Sequence, residues 1–258
     1  MLLAIDIGNS NISAGVFGKG EEPLFCFSLS AKEARSADEY QHLILAALQE
    51  KGVQAGEIRD GAIASVVPML TAPFEQALEA ICGRRPLVLG AGVKTGIHIR
   101  TDAPFEVGAD IIANAAAAPC ERGAIIADFG TATTIFAVSK QRELLGGAIL
   151  PGIASSMESL RAQTAQLPSV APIAKGEPLG KNTAECIASG VLMGQAFAVD
   201  EFARRYGEIL GGEPMLLATG GLAPMVLPHC RLRFIQDQYL TLKGLRLIYE
   251  KTRKIAIS

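Results

Sequence analysis

Apolar positions along the chain follow two rhythms. Short continuous runs at Met1–Ile5, Ile12–Phe17, Gly61–Val67, Pro86–Leu89, Ala124–Ala127, Thr134–Val138 and Met215–Ala218 predict buried strands. Between them the spacing turns helical. Asp38–Lys51 sets Tyr40, Leu43, Ile44, Ala47 and Leu48 on one face and stops at Gly52. Leu70–Cys82 predicts a helix ending at Gly83, Asp110–Ala118 an Ala-rich helix ending at Pro119, Asn182–Gly207 a long helix and Leu242–Lys254 a closing one. This alternation predicts an α/β fold. No low-complexity linker interrupts it, so the domain boundary is placed in the Pro119–Gly123 stretch, giving residues 1–119 and 120–258.

Composition narrows the function classes. Of 258 residues, 49% are hydrophobic and 19% charged, which supplies a packed core and excludes a disordered linker. The net charge of -2 offers no general attraction to nucleic acid or anionic membrane, so neither is an expected partner. Mean hydropathy is high at +0.29. Yet the uncharged stretches Pro214–Cys230 and Gly61–Phe74 are broken by Pro and Gly and fall short of the roughly 20 apolar residues a span needs. Asp6 interrupts the apolar start before a signal peptide could form. A soluble, cytoplasmic protein is expected. The cysteines at 26, 82, 120, 186 and 230 have no metal-ligand spacing and predict reduced, mostly core thiols. His42, His98 and His229 are equally scattered and are expected to be structural and satisfied, which argues against zinc or iron chemistry.

One pattern occurs twice. Met1-Leu-Leu-Ala-Ile-Asp6-Ile-Gly8-Asn9-Ser10 and Ala124-Ile-Ile-Ala-Asp128-Phe-Gly130-Thr131-Ala-Thr133 each run from an apolar strand through an Asp, one apolar residue and a Gly into small polar residues. Another apolar strand follows each, which predicts a duplicated β-hairpin. An Asp at the end of a buried strand can hold a hydrated Mg²⁺, and a Gly beside it lets backbone N–H groups approach phosphate. One such hairpin alone is more often an ordinary Asx-turn. Two in matching strands favour a pair of loops for a triphosphate and its metal. Met215–Thr219 then runs into Gly220 and Gly221, where backbone can lie against an adenine or ribose; the bland alternative is a plain strand-to-helix turn.

Rival motifs fall short. Gly176–Lys181 reads G-x-x-x-G-K followed by Asn182, one residue short of a P-loop and without the hydroxyl for Mg²⁺. Gly90, Gly92 and Gly96 follow a strand, but Ile97-His-Ile99 reads as strand rather than helix, so they predict a turn. There is no G-x-S-x-G elbow.

Taken together, the chain resembles the type III pantothenate kinases of the acetate and sugar kinase, heat-shock 70 and actin superfamily. The resemblance covers nearly the whole chain. It rests on Asp6-Ile-Gly-Asn-Ser-Asn11 with Gly15, Asp38-Glu-Tyr40, Glu106-Val-Gly-Ala-Asp110 with Asn114, and Asp128-Phe-Gly-Thr-Ala-Thr-Thr134. Gly146-Gly-Ala-Ile-Leu-Pro-Gly152, Gly180-Lys-Asn-Thr183, Thr219-Gly-Gly221 and Leu240-Thr-Leu-Lys-Gly-Leu245 complete it. The resemblance implies two tandem ribonuclease H-like (actin-like ATPase) domains with an interdomain nucleotide cleft. It implies a cytoplasmic homodimer that phosphorylates the hydroxyl of pantothenate with ATP, opening coenzyme A synthesis. By resemblance, Asp6, Ile7, Gly8, Asn9, Ser10, Asn11, Ile12 and Ser13 form the first phosphate loop, with Asp6 attending Mg²⁺. Thr131 would contact ATP, Gly220 and Gly221 the adenosine, and Asp128 a monovalent cation, K⁺ or NH₄⁺. Gly108, Ala109, Asp110 and Ile111 would line the substrate site, with Asp110 as general base and Thr183 and Thr101 also reaching substrate. The family's pocket is completed across the dimer interface.

Three departures stand out. The family's G-x-D-R reads Gly108-Ala-Asp110-Ile111, without the Arg, and its Tyr-x-Asn-Pro reads Thr101-Asp-Ala103-Pro104. After Thr134 the usual Phe-Asp is Ile135-Phe136. The nucleotide-side motifs are intact and the acceptor-side motifs altered. Besides a pantothenate kinase, a kinase for another small hydroxyl acceptor and a silent nucleotide-binding regulator therefore stay open.

Overall fold

The computed structural model describes residues 1–119, 121–163 and 178–257. The elements begin β1 Leu2–Ile7, β2 Asn11–Phe17, β3 Phe25–Ser30, α1 Ala37–Glu50, β4 Asp60–Ser65, α2 Pro68–Cys82, β5 Leu87–Val88, β6 His98–Ile99 and α3 Ala109–Ala117. They continue β7 Ala124–Phe129, β8 Ala132–Val138, β9 Glu143–Pro151, α4 Ile153–Gln163, α5 Thr183–Leu210, β10 Met215–Thr219, α6 Ala223–Val226, β11 Ile235–Gln236 and α7 Leu240–Ile257. Two compact units result. The first comprises Met1–His98, Asp102–Ala117 and Tyr239–Ser258; the second comprises Ile99–Thr101 and Ala118–Gln238.

In the first unit the sheet order is β3-β2-β1-β4-β5. The first three strands form an antiparallel meander, and β4 and β5 run parallel to β1 and to each other in turn. Strand β1 is buried on both faces, as its unbroken apolar run requires. One face carries α1 and α2, whose Tyr40, Ile44, Phe74 and Leu78 pack with Leu3, Ile5 and Ile7. The Tyr40 and Phe74 rings lie 4.0 Å apart. Helix α1 opens on a capping box between Ser36 and Glu39, and α2 starts at Pro68 and stops at the left-handed Gly83. Helices α3 and α7 pack together. A Cβ at Gly244 would collide with the Ala113 carbonyl, so only glycine permits this approach. Thr241 Oγ1 donates to the buried Asn114 Oδ1 at 2.8 Å.

The second unit repeats the theme with order β11-β10-β7-β8-β9-β6. Strands β7, β8 and β9 are antiparallel, and β10 runs parallel to β7. Ile125, Ala127, Phe129 and Ile135 pack against Ile187, Leu192, Ala196 and Val199 of α5. By length and apolar content alone α5 could cross a membrane. Its buried stripe lines this core instead, and Asn182 caps its start by accepting from the Glu185 N–H.

The structure departs from the pattern reading in several places. Strands β3 and β9 and helix α4 were not signalled. Strand β3 is only half-buried, β9 carries Gly146 and Gly147, and α4 is polar and serine-rich, so none has a clean period. The closing helix counts with the first unit, whereas the division at 119/120 sets it with the second. An amphipathic helix records that it has a buried face but not which sheet receives it. The four described cysteines are free, but Cys26, Cys82 and Cys230 are half-buried rather than core and Cys186 is exposed. Burial pushes Cys26 and Cys82 up to about 11 and Cys230 to about 12, so these three stay thiols at neutral pH. His42 and His98 are exposed, and His229 Nε2 is buried without a partner among the described residues, so the satisfied core histidine is not found.

Candidate active site

The first hairpin positions Asp6 at the fifth residue of β1, directly opposite Ser13 on β2. Opposed residues of an antiparallel pair share a face, so carboxylate and hydroxyl oxygens sit side by side. Gly8 N–H donates to Asn11 O at 3.0 Å and closes the turn. Asn9 and Asn11 are exposed and Gly8, Ser10 and Ser13 half-buried. Ile7 and Ile12 are buried in the core. Of the eight predicted loop residues these two, like Gly8, therefore offer a ligand backbone only.

Asp110 stands at the start of α3. Ile112 N–H donates to Gly108 O at 3.1 Å, and Ile111 N–H donates to Asp110 Oδ1 at 2.8 Å. A Cβ at Gly108 would run into Asp110 Oδ1 and would lie 3.4 Å from Val66 Cγ1. Val66 N–H in turn donates to Ile7 O at 3.0 Å. Gly108 thus brings Asp110 beside the end of β4, at the end of the sheet where Asp6 leaves β1. Burial raises the Asp110 carboxyl above its ordinary range, and backbone N–H bonds at Ile111 and at Asp110 itself oppose the rise. A desolvated carboxylate with few donors is a better proton acceptor than a solvated one. Ala109 is buried and Ile111 half-buried.

The second hairpin places Asp128 at the fifth residue of β7, opposite Thr134 and beside Thr219 of β10. Gly130 N–H donates to Ala132 O at 3.0 Å, leaving Thr131 exposed at the tip. Gly220 has φ +91, and a Cβ there would lie 2.5 Å from Phe129 O and 2.6 Å from Asp128 Oδ1. Only glycine lets this backbone cover the carboxylate. Gly221 is exposed, with open space where its Cβ would be. Asp128 and Gly220 are thereby brought together, with Thr131 at the tip of the same hairpin and Gly221 next along the chain from Gly220. The motif ending at Gly152 gives that residue no role, and Ser155 is in no motif; Gly152 N–H and Ser155 Oγ both donate to Thr131 O, at 3.2 and 3.0 Å.

Thr101 and Thr183 count with the second unit, whereas Gly108–Ile111 count with the first. Thr101 is half-buried with Oγ1 unpartnered among the described residues. Thr183 is the exposed first residue of α5, following Gly180, where a Cβ would strike the Glu185–Cys186 backbone. The near-P-loop at Gly176 begins outside the described residues. Among the described residues, no three His, Cys, Asp or Glu side chains group to hold a metal. A cation at Asp6 or at Asp128 would therefore draw its remaining oxygens from hydroxyls, water and phosphate, which suits Mg²⁺ at one carboxylate.

Duplicated strand–Asp–Gly hairpins on mixed sheets, one beside a glycine-lined strand end, define a protein of the actin-like fold. Solved structures agree on the fold. A Campylobacter jejuni protein described as a Baf family transcriptional activator matches with TM-score 0.65 and 18% identity, covering 98% of this chain and 99% of that one. The activator of 2-hydroxyisocaproyl-CoA dehydratase from Clostridium difficile, solved with ADPNP, matches with TM-score 0.54 and 10% identity over 99% and 97%. Sequence relatives are nearer. The type III pantothenate kinase family model matches residues 2–205. Proteins so named from Dehalococcoides mccartyi and Moorella thermoacetica are 42% and 41% identical, covering 98% and 97% of this chain and 96% and 99% of theirs. The chain belongs to the type III pantothenate kinase family.

Proposed function

We propose that this chain transfers the γ-phosphoryl group of ATP to the hydroxyl of pantothenate, the first step of coenzyme A biosynthesis, in the cytoplasm. The observation that carries the reading is the repeated hairpin, one Asp at the same strand position in each unit. The first turn would bind phosphate through its backbone, with Asp6 and Ser13 toward Mg²⁺. The second would bind phosphate at Thr131, with adenosine along Gly220 and Gly221. Asp128, with Thr134 and Thr219 on the same face, offers hard oxygens that suit a K⁺ or NH₄⁺ ion. Bound Mg²⁺ supplies positive charge against the phosphate oxygens.

Asp110 would accept the proton of the pantothenate hydroxyl as that oxygen bonds to the γ-phosphorus and the bond to the β–γ bridging oxygen breaks, leaving ADP. Gly108, Ala109, Ile111, Thr101 and Thr183 would hold the acceptor. We also assign a homodimer, from family membership; sedimentation showing only a species near 27.1 kDa would overturn that. Ile111, half-buried next to Asp110, presents an alkyl group where a carboxylate-bearing acceptor would meet a cation, and this favours a second reading with an uncharged acceptor. A coupled assay of ADP release separates them. Pantothenate preferred over pantothenol and pantetheine supports the first, equal or better use of the uncharged compounds the second, and release with none of them refutes both.

A further inference from the structure

Gln195 sits on the buried stripe of α5 between Leu192 and Val199 and is 7% exposed. Its Nε2 donates to Pro151 O at 2.6 Å. Its Oε1 is buried with no partner among the described residues. An apolar side chain of that size would fill the stripe without the unpaired Oε1 and leave Pro151 O to Ser156 Oγ, which also donates to it at 3.4 Å, so stability alone does not explain an amide here. Position does. Pro151 ends β9 opposite Ala132, the last residue of the second turn. The next residue, Gly152, is buried, and its N–H donates to Thr131 O at 3.2 Å. A Cβ at Gly152 would collide with Thr131 O and lie 2.7 Å from Gly130 O. The Pro151–Gly152 segment is thus pressed against the turn, and Gln195 fastens that segment to α5. Thr133, just beyond the turn and 0% exposed, also buries an unpartnered Oγ1. Two unpaired polar atoms around one turn mark a segment held in place for use rather than for stability.

We propose that Gln195 is a positioning residue for ATP binding, holding Gly130-Thr131-Ala132 in its binding conformation through Pro151 and Gly152. This rests on the reading above that the second turn contacts ATP. The test compares Gln195→Met, which keeps length and loses the donor, with Gly152→Ala and Thr131→Ala, in the full chain. For each, the KM values for ATP and for pantothenate and the melting temperature are measured. Gln195→Met should raise the KM for ATP roughly three- to tenfold, the scale of one lost hydrogen bond, with the pantothenate KM unchanged and the melting temperature equal or higher. If Gly152→Ala raises the KM for ATP and Gln195→Met does not, the positioning role is wrong and the turn's assignment stands. If Gln195→Met moves both KM values together with a drop in melting temperature, its role is structural and the proposal is overturned. If neither Gly152→Ala nor Thr131→Ala changes the KM for ATP, the turn itself is misassigned and the proposal goes with it.

Discussion

The two hairpins share a frame and differ at its exits. Strands β1 and β7 have the same burial pattern, and each sets its Asp at the one half-buried position. The first turn holds four residues, Gly8 to Asn11, between the paired Ile7 and Ile12. The second holds three, Gly130 to Ala132, between Phe129 and Thr133. The parallel neighbours diverge more. Beside Asp6 stands Ala64, and Val66, two positions on, returns its N–H to Ile7 O at 3.0 Å. Beside Asp128 stands Thr219, and the residue that returns its N–H to Phe129 O, at 3.1 Å, is Leu222, three positions on. The extra residue allows the left-handed Gly220 to cover Asp128. In the first unit the exit is tied by side chains instead, with Ser65 Oγ accepting from Val67 N–H at 3.2 Å and Thr71 Oγ1 at 2.8 Å. Packing fixes where each carboxylate sits; the exit decides what can approach it.

The largest expected effect belongs to a group only one unit has. Asp110→Asn should lower turnover by at least about a hundredfold with ATP affinity nearly unchanged, the scale of a lost general base. Because burial raises this carboxyl, the rate should fall as pH drops through a value above the usual Asp range near ~3.9. The sign for stability is opposite to that of a salt-bridged acid. A folded-state pKa above the unfolded one gives stabilisation that is complete below the unfolded value and lost as pH rises through the folded value. The Asn variant should therefore melt no lower than the parent at neutral pH, by calorimetry. A variant that keeps its rate and loses stability would make Asp110 a mere helix N-terminal acid.

Next come the glycines. Gly220→Ala should weaken ATP binding about tenfold or more, because φ +91 and the 2.5 Å approach to Phe129 O leave no room. Gly8→Ala meets only Asn11 O, at 3.1 Å with ordinary φ, and should cost a few-fold at most. Titration calorimetry showing the reverse order would break the contrast between the two exits. The smallest effects sharpen it. Neither turn contains Lys or Arg, so ATP should bind several-fold more weakly without Mg²⁺. Asp6→Asn should raise the Mg²⁺ requirement and Asp128→Asn the K⁺ requirement by a few-fold each. Equal ATP affinity with and without Mg²⁺ would remove Asp6 from the metal role.

The frame was legible because β1 and β7 open on four apolar residues, β2 and β8 carry apolar stretches, and Asp and Gly recur at the same offset. Ser13 and Thr134 reach the face of their Asp only through register, which a single strand does not declare. Gly220 and Gly221 were visible as a pair, but the left-handed φ that roofs Asp128 comes from tertiary contact. Ile7 and Ile12 belong to the loop by resemblance, and pleating turns their side chains into the core. Gln195 left a signal that went unused, a polar residue on the stripe Ala188, Leu192, Val199. Gly152 closes the quoted Gly146–Gly152 motif, but only its approach to Thr131 gives that glycine its meaning.

The allegiance of α7 sets the order in which the two units have all their residues during synthesis. The second unit is drawn from Ile99–Thr101 and Ala118–Gln238, so all of it has emerged once Gln238 has. The first unit, although it holds the earliest residues, still lacks the helix that covers α3 and whose Arg253 pairs with Asp60 at 3.1 Å. A nascent chain stalled at residue 238 should thus carry a finished second unit and a first unit with an open apolar flank, a species for a holdase chaperone to shield. The unit that opens the chain is the last to receive all of its residues.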